Sequence, residues 1–448
     1  MIHQLIFAIV TILGFGYAVM QFTRIRKNIF LGKKEEITGD TGTRWKNTLL
    51  IAFGQKKMFK RWIPALLHFF IYAAFLITQI ELIEIFADGF LGHHRIFARP
   101  LGGFYTFMIS FIEVLSVLAF IGTVIFLIRR NILKIKRFHQ PEMKGWPFRD
   151  GNLILIFEIL LLIGIFSMNG ADMVLQSRGV EHYTQTGGFA VSSHLGPALF
   201  GNLSDGTLMF LERFGWWLHY LMVLVFLNYL PKSKHLHILL AFPNTYYAPL
   251  RPRGEMENMP AIMDEVKSMM GLTEEQPVEE MSEDIPEFGA SDIFDFGWTT
   301  ILAAYTCTEC GRCTSECPAN ITGKKLSPRK IMMDIRDRTE EVARKISSGN
   351  IDFTKDKEKP ISKDNFEDGK NLFDRISREE IWACTTCNAC VEACPVLIRP
   401  MDAILEMRRY DILTLSQGPQ DLMPLFNSIE NGGSAWAMSV DRDAWAVK

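Results

Sequence analysis

No cysteine precedes Cys307 and none follows Cys394; all eight lie between them. A secreted disulfide scaffold is short and spreads its cysteines as a framework, so that class is excluded. A basic excess is also missing. The 48 Lys and Arg face 50 Asp and Glu, a formal net charge of −2 with a pI near 6.6. A chain built to grip nucleic acid would carry that excess. Nor is there a Gly-rich dinucleotide fingerprint or a P-loop, so no flavin, nicotinamide or nucleotide site is read. Charge is scarce in long stretches of residues 1–231, whereas residues 251–390 are dense in Asp, Glu, Lys and Arg. This segregation excludes a single soluble domain, although 48% hydrophobic and 22% charged residues are ordinary averages.

Five apolar runs, near residues 2–22, 62–86, 103–128, 152–175 and 207–230, approach the ~20 residues that cross a bilayer as a helix. The first begins MIHQ, with no basic residue, and its basic cluster (Arg24, Arg26, Lys27) follows the run. That order reads as a retained helix with its N-terminus outside, not a signal peptide. Residues 23–61 carry eleven Lys/Arg and residues 129–149 carry seven, against two in 88–102 and one in 172–206. The positive-inside rule places the rich loops in the cytoplasm and sends everything after Pro231 to the same side; the membrane expected is a bacterial inner membrane. Cysteines there meet a reducing compartment, where disulfides do not persist.

Three histidines stand on or just beyond these runs: His68, His219 and His237. An imidazole in hydrocarbon needs a partner, and neutral imidazole is a good haem ligand. The 18 residues from His219 to His237 span about 27 Å if the helix continues past Pro231. One helix would then offer a ligand at each side of the bilayer, with His68 at the depth of His237. Interfacial histidines without a ligand role are the alternative reading.

The stretch HYLMVLVFLNYLPKSKHLHI (residues 219–238) resembles the last helix of the gamma subunit of respiratory nitrate reductases, a five-helix dihaem cytochrome b. The resemblance implies His68 and His237 on an inner b haem and His219 on an outer one. The family's second histidine on helix two falls here at Thr78, so the outer haem lacks its usual partner. His93 or His94 could swing in, the iron could be five-coordinate, or that haem could be absent. His235 is the nearest competitor of His237, and the family register favours His237.

Both cysteine runs read C-x2-C-x2-C-x3-C-P. In two-cluster ferredoxins of this pattern the fourth Cys ligates the other cluster. Cys307, Cys310, Cys313 and Cys394 are therefore assigned to one [4Fe–4S] cluster, and Cys384, Cys387, Cys390 and Cys317 to the second. Zinc ribbons use separated C-x2-C pairs for one tetrahedral ion and gain nothing from a third Cys three residues on. Between the runs Ser327–Pro328 predicts a helix start, Ile331, Ile335, Val342 and Ile346 share one face, and Gly349 ends it. Ser377 with Glu380 predicts a capping box. The expected fold is all-α: a five-helix transmembrane cytochrome b-like bundle (1–240), an acidic linker or docking strap (241–295), a cytoplasmic α-helical ferredoxin (296–415), and a tail contacting another subunit (416–448).

The stretches WTTILAAYTCTECGRCTSECPANITGKKLSPRKIMMDIRD and IWACTTCNACVEACPVLIRPMDAILEMRR resemble iron–sulfur proteins of the heterodisulfide reductase group. Within it they are most similar to membrane oxidoreductases that pass electrons from electron-transfer flavoprotein to menaquinone, a likeness covering nearly the whole chain. Such proteins usually continue into cysteine-rich CCG domains; with no cysteine after Cys394, that module is expected on a separate subunit. The resemblance implies an electron-transfer subunit of a quinone oxidoreductase, working from flavoprotein through clusters and b haem to menaquinone. Two alternatives are a quinol-oxidising subunit of a heterodisulfide or sulfur-compound reductase, and a membrane-anchored redox sensor. Glu81, Glu84, Glu113 and Glu158 are candidate proton carriers. Glu84 and Glu212 also read as carboxylates solvated at the membrane surface.

Overall fold

Inside a bilayer every backbone N–H and C=O has to be satisfied within its own segment, which selects helices for long apolar runs. The computed structural model, which describes residues 2–272, 288–435 and 446, makes all five runs helical. They are α1 (Ile2–Ile29), α2 (Trp62–Ile77) continued by α3 (Gln79–Leu91), α4 (Gly103–Asn131), α5 (Trp146–Ser177) and α6 (Asp205–Tyr229). Among the described residues there is no strand, only the isolated bridges Lys33–Gly297 and Thr354–Phe366. The five spans are long and apolar enough to cross a membrane, and large side chains such as Ile9, Leu13, Phe107 and Phe111 face outward from them. A surface of that kind suits lipid and not water.

Two units divide the chain: residues up to 29 with 40–247 and 305–311, and residues 30–39 with 248–304 and 312 onward. The division differs from the boundary expected at residue 240. His237–Tyr247 is one helix, α7, and it stays whole within the first unit. The expected linker is helical at Pro260–Met269, and its most acidic part, 273–287, lies outside the described residues.

Continuity from His219 to His237, the condition for one helix to carry both imidazoles, is not met. Pro231 has no N–H to continue the ladder, so α6 ends at Tyr229 and two single 3-10 turns flank an extended Ser233 (φ −119°, ψ 150°) before His237 opens α7. A smaller break separates α2 from α3. There the Thr78 hydroxyl and the Gln79 amide both donate to the Phe75 carbonyl, the back-bonding that bends helices.

Helices α5 and α6 cross where Gly164 meets Gly215. A Cβ on Gly164 would lie 2.9 Å from the His219 nitrogen, and one on Gly215 would lie 2.6 Å from the Met168 nitrogen. Only hydrogen fits at these positions, and small residues of this kind bring membrane helices together.

In the second unit α8 (Pro328–Ser348) follows its sequence signals. Ser327 accepts from the Lys330 N–H, Ile331, Ile335 and Val342 are buried, and Gly349 terminates the helix at φ 68°. Ser377 and Glu380 form the expected capping box. The buried guanidinium of Arg338, 1% exposed, is held by both carboxylate oxygens of Asp292, both of Asp368, and the Lys370 carbonyl. This one side chain joins three distant segments around Ile293, Val342 and Phe366.

Candidate metal centres

The two cysteine runs share one backbone path. Glu309 (φ 53°) and Gly311 (φ 69°) in the first, and Thr386 (φ 52°) and Asn388 (φ 59°) in the second, take left-handed conformations. In both runs these are the second and fourth residues after the leading cysteine. Alternation of this kind turns successive N–H groups inward, a cradle for anionic ligands. The N–H of Thr386 donates to Cys384 Sγ (3.4 Å) and that of Ile398 to Cys394 Sγ (3.2 Å).

None of the eight cysteines is in a disulfide. Cys317, Cys384, Cys387 and Cys390 come within electrostatic reach of one another, the set expected for the second cluster. Burial, reinforced by the three neighbouring sulfurs, pushes the Cys390 thiol up to about 12. Cys390 and Cys384 pack with Cys313, Val391 and Met401, Cys387 is exposed, and Arg408, over the Trp382 ring and bonded to the carbonyls of Ile381 and Cys384, adds positive charge. Of the other expected set, Cys307 and Cys310 belong to the first unit and Cys313 and Cys394 to the second. Among the described residues no three His, Cys, Asp or Glu side chains converge as a single ion requires.

The three imidazoles have a common arrangement. His68 Nδ1 pairs with Gln55 Oε1 (3.2 Å), His219 Nδ1 with the Leu161 carbonyl (3.1 Å), and His237 Nδ1 with the Lys234 carbonyl (3.0 Å). Facing an oxygen acceptor, each Nδ1 carries the proton, the tautomer generally found where Nε2 binds a metal. His235 stacks on His237 with ring centroids 5.4 Å apart and lies within electrostatic reach of both His68 and His237. Its own Nδ1 is buried with no hydrogen-bond partner among the described residues, so it lacks the tether of the other three.

Of the two candidates for a second imidazole opposite His219, His93 is exposed and His94 is engaged elsewhere. His94 has Nε2 3.4 Å from Asp172 and Nδ1 accepting from the Thr184 N–H. Thr78, at the family's histidine position, spends its hydroxyl on α2.

A buried polar network that sequence reasoning missed lies between α3, α4 and α5. Arg95, in the left-handed region at φ 51°, donates to Asp172 (2.5 Å), Asn169 (2.7 Å) and Tyr105 (3.0 Å). Tyr105 donates to Glu84 (2.6 Å), and Asn169 to Glu113 (3.3 Å) and Glu81 (3.5 Å). Glu113 also accepts the N–H groups of Val191 and Ser192. Glu84 and Glu212 are only 4% and 2% exposed, which corrects their reading as solvated surface carboxylates. Glu158 lies on α5 outside this network. A small, water-sized pocket opens beside the network, lined on its polar side by Glu81, Glu84, His94 and Glu212 and on its apolar side by Ile85, Met168 and Trp216. The signal available was Asn169 and Asp172 inside an otherwise apolar run, since intramembrane polar groups need partners.

Residues 306–398 match the family model of the 4Fe-4S dicluster domain. Over 99% of its length the chain is 28% identical to the "probable iron-sulfur-binding oxidoreductase FadF" of Bacillus subtilis, covering 60% of that protein. It is 25% identical over 88% of its length to the EtfAB:quinone oxidoreductase of Syntrophomonas wolfei, covering 53% of it. A 109-residue stretch is 31% identical to one subunit of the ferredoxin:CoB-CoM heterodisulfide reductase of Methanosarcina mazei, over 24% of this chain and 46% of that one. The chain thus spans little more than half the length of the first two of these relatives. No solved structure matches it.

Proposed function

Starting from a chain with a 4Fe-4S dicluster domain, related along most of its length to iron–sulfur oxidoreductases, we propose that it is the membrane electron-transfer subunit of a quinone oxidoreductase. It takes electrons from a cytoplasmic donor, electron-transfer flavoprotein acting through a CCG-domain subunit, and delivers them to menaquinone. The cysteines hold two [4Fe–4S] clusters in the sets named above. His68 and His237 hold a b haem at the cytoplasmic side, and His219 offers a ligand for a second at the outer side. When bound, these groups exchange single electrons.

The residues supply the rest. Backbone N–H groups and Arg408 balance the charge of the sulfur cages, and the Nδ1 tethers fix the ring orientation at each imidazole. The pocket beside Arg95 is water-sized, with an apolar wall and convergent carboxylates, and we propose it as the proton store for a quinone reacting at the lipid boundary. Reduction of a quinone consumes two protons with its two electrons, and Glu81, Glu84 and Glu212 line the cavity as acids for that purpose.

The observation that carries this reading is the shared tethering of the three imidazoles, in the same unit as the Cys307–Cys310 loop. The test is anaerobic purification of the chain in detergent, with iron and haem assays and a reduced-minus-oxidised visible spectrum. The reading expects about eight irons, a b-type α-band, and bleaching of that band by a menaquinone analogue. Iron without porphyrin would refute it and favour a redox sensor. The heterodisulfide reductase relative keeps a second direction open, with quinol reducing a cytoplasmic disulfide; a quinol analogue that reduces the haem and then the clusters would support it.

A further inference from the structure

The two cysteine loops have the same backbone and different side chains at the first of their left-handed positions, Glu309 in one and Thr386 in the other. The Thr386 hydroxyl turns back onto the carbonyl of Thr385, its own neighbour. The Glu309 carboxylate extends out of the loop to Lys234 Nζ at 2.5 Å. Both partners are buried, with side chains 3% and 9% exposed. A non-glycine residue held at positive φ by such a contact is over-determined by its surroundings, a common mark of a functional position.

Lys234 is the residue whose carbonyl accepts from His237 Nδ1. It therefore touches the loop between Cys307 and Cys310 with its side chain and the imidazole of His237 with its main chain. Asp150 holds it in place by accepting from the Lys234 N–H (3.0 Å), Ser233 Oγ (2.7 Å) and Tyr229 (2.6 Å). The same loop has two further attachments within its unit: Asn28 donates to the Tyr305 hydroxyl (3.0 Å), and the Thr306 hydroxyl donates to the Leu240 carbonyl (3.4 Å).

We infer that Lys234 and Glu309 form the electron junction of the chain: the cluster on Cys307 and Cys310 is the one that reduces the haem on His237, and the cluster on Cys384, Cys387 and Cys390 is the entry point. The inference rests on the function proposed above and adds the order of transfer and the pair that sets the spacing. In each transfer one electron leaves the reduced cluster, which becomes oxidised by one, and arrives on ferric haem iron, which becomes ferrous. No bond forms and no proton moves. Lys234 and Glu309 act as positioning residues, through the groups they touch.

The test uses the full chain in detergent, with Lys234→Met, Glu309→Gln and the conservative Lys234→Arg. Each variant is first checked for iron and haem at the wild-type level. Redox titration followed by electron paramagnetic resonance and visible spectroscopy then reads each centre separately. Loss of a nearby positive charge stabilises the oxidised state and loss of a negative charge stabilises the reduced state. Lys234→Met is therefore expected to lower the midpoint potential of one cluster, and Glu309→Gln to raise that of the same cluster, with the other unmoved. After rapid cluster reduction, haem reduction is expected to slow at least tenfold in Lys234→Met and to recover in Lys234→Arg. Equal shifts in both clusters, shifts of the same sign in the two variants, or an unchanged haem reduction rate would overturn the inference. Absence of haem from the unaltered chain would instead overturn the functional reading on which it stands.

Discussion

Of the three tethers that orient the imidazoles, two are main-chain carbonyls and the one on His68 is the side chain of Gln55. It is therefore the one that substitution can remove cleanly. Gln55 is 7% exposed and sits in left-handed backbone at φ 51°, so the replacement should preserve length and flexibility. Gln55→Met does so and deletes the acceptor 3.2 Å from Nδ1. The imidazole then loses the bond that fixes its tautomer and raises its basicity. Removing such a partner typically costs ten- to a hundredfold in metal affinity, or about 1.4–2.7 kcal/mol. The assay is haem retained per chain after detergent dilution, with the potential of the remaining haem measured alongside. We expect haem occupancy to fall at limiting haem and to recover when excess haem is supplied. Gln55→Glu, which strengthens the acceptor, should retain haem and lower its potential. Retention and potential unchanged in Gln55→Met would refute the claim that this tether orients a ligand.

Further expectations concern the framework. Arg338→Met removes the cation on Asp292 and leaves Asp368 paired with Lys345 alone, and should cost about 3–5 kcal/mol, read as a lower urea midpoint for loss of helical circular dichroism. Gly164→Val forces a side chain into the 2.9 Å gap at His219; overpacking of this kind costs about 1–3 kcal/mol, and any second haem should be lost before the first. Acid should weaken the second unit through Glu341, whose carboxyl is held down to about 2 by the hydrogen bond from Arg375, against opposing burial, with help from Lys345. A depressed carboxylate stabilises the fold above its ordinary pKa and loses that contribution as pH falls. The stability gap between wild type and Glu341→Gln should therefore close between about pH 4.5 and 2; a gap constant over that range would count against the ion pair.

Local signals were legible where the physics is local. The caps at Ser327 and Ser377 and the stop at Gly349 involve neighbouring residues, and each appears as read. Pro231 was legible too: the last apolar run, read as 207–230, ends as a helix at Tyr229, because a missing N–H stops the ladder even where the spacing of two histidines would suit continuity. The Arg95 network escaped because its members come from positions 81 to 192 and are individually ordinary. Glu84 and Glu212 were misread for the same reason: exposure is a property of what packs against a residue.

Sequence alone determined the helical runs and their loop charges, the cysteine spacing and the imidazole positions, since these depend on chain order and on residue chemistry. Tertiary structure decided which oxygen tethers each imidazole, which carboxylates are buried around Arg95, and that Glu309, but not Thr386, reaches Lys234. Those outcomes depend on contacts between residues up to 88 positions apart, and no local pattern encodes which partner a folded chain brings within hydrogen-bonding distance.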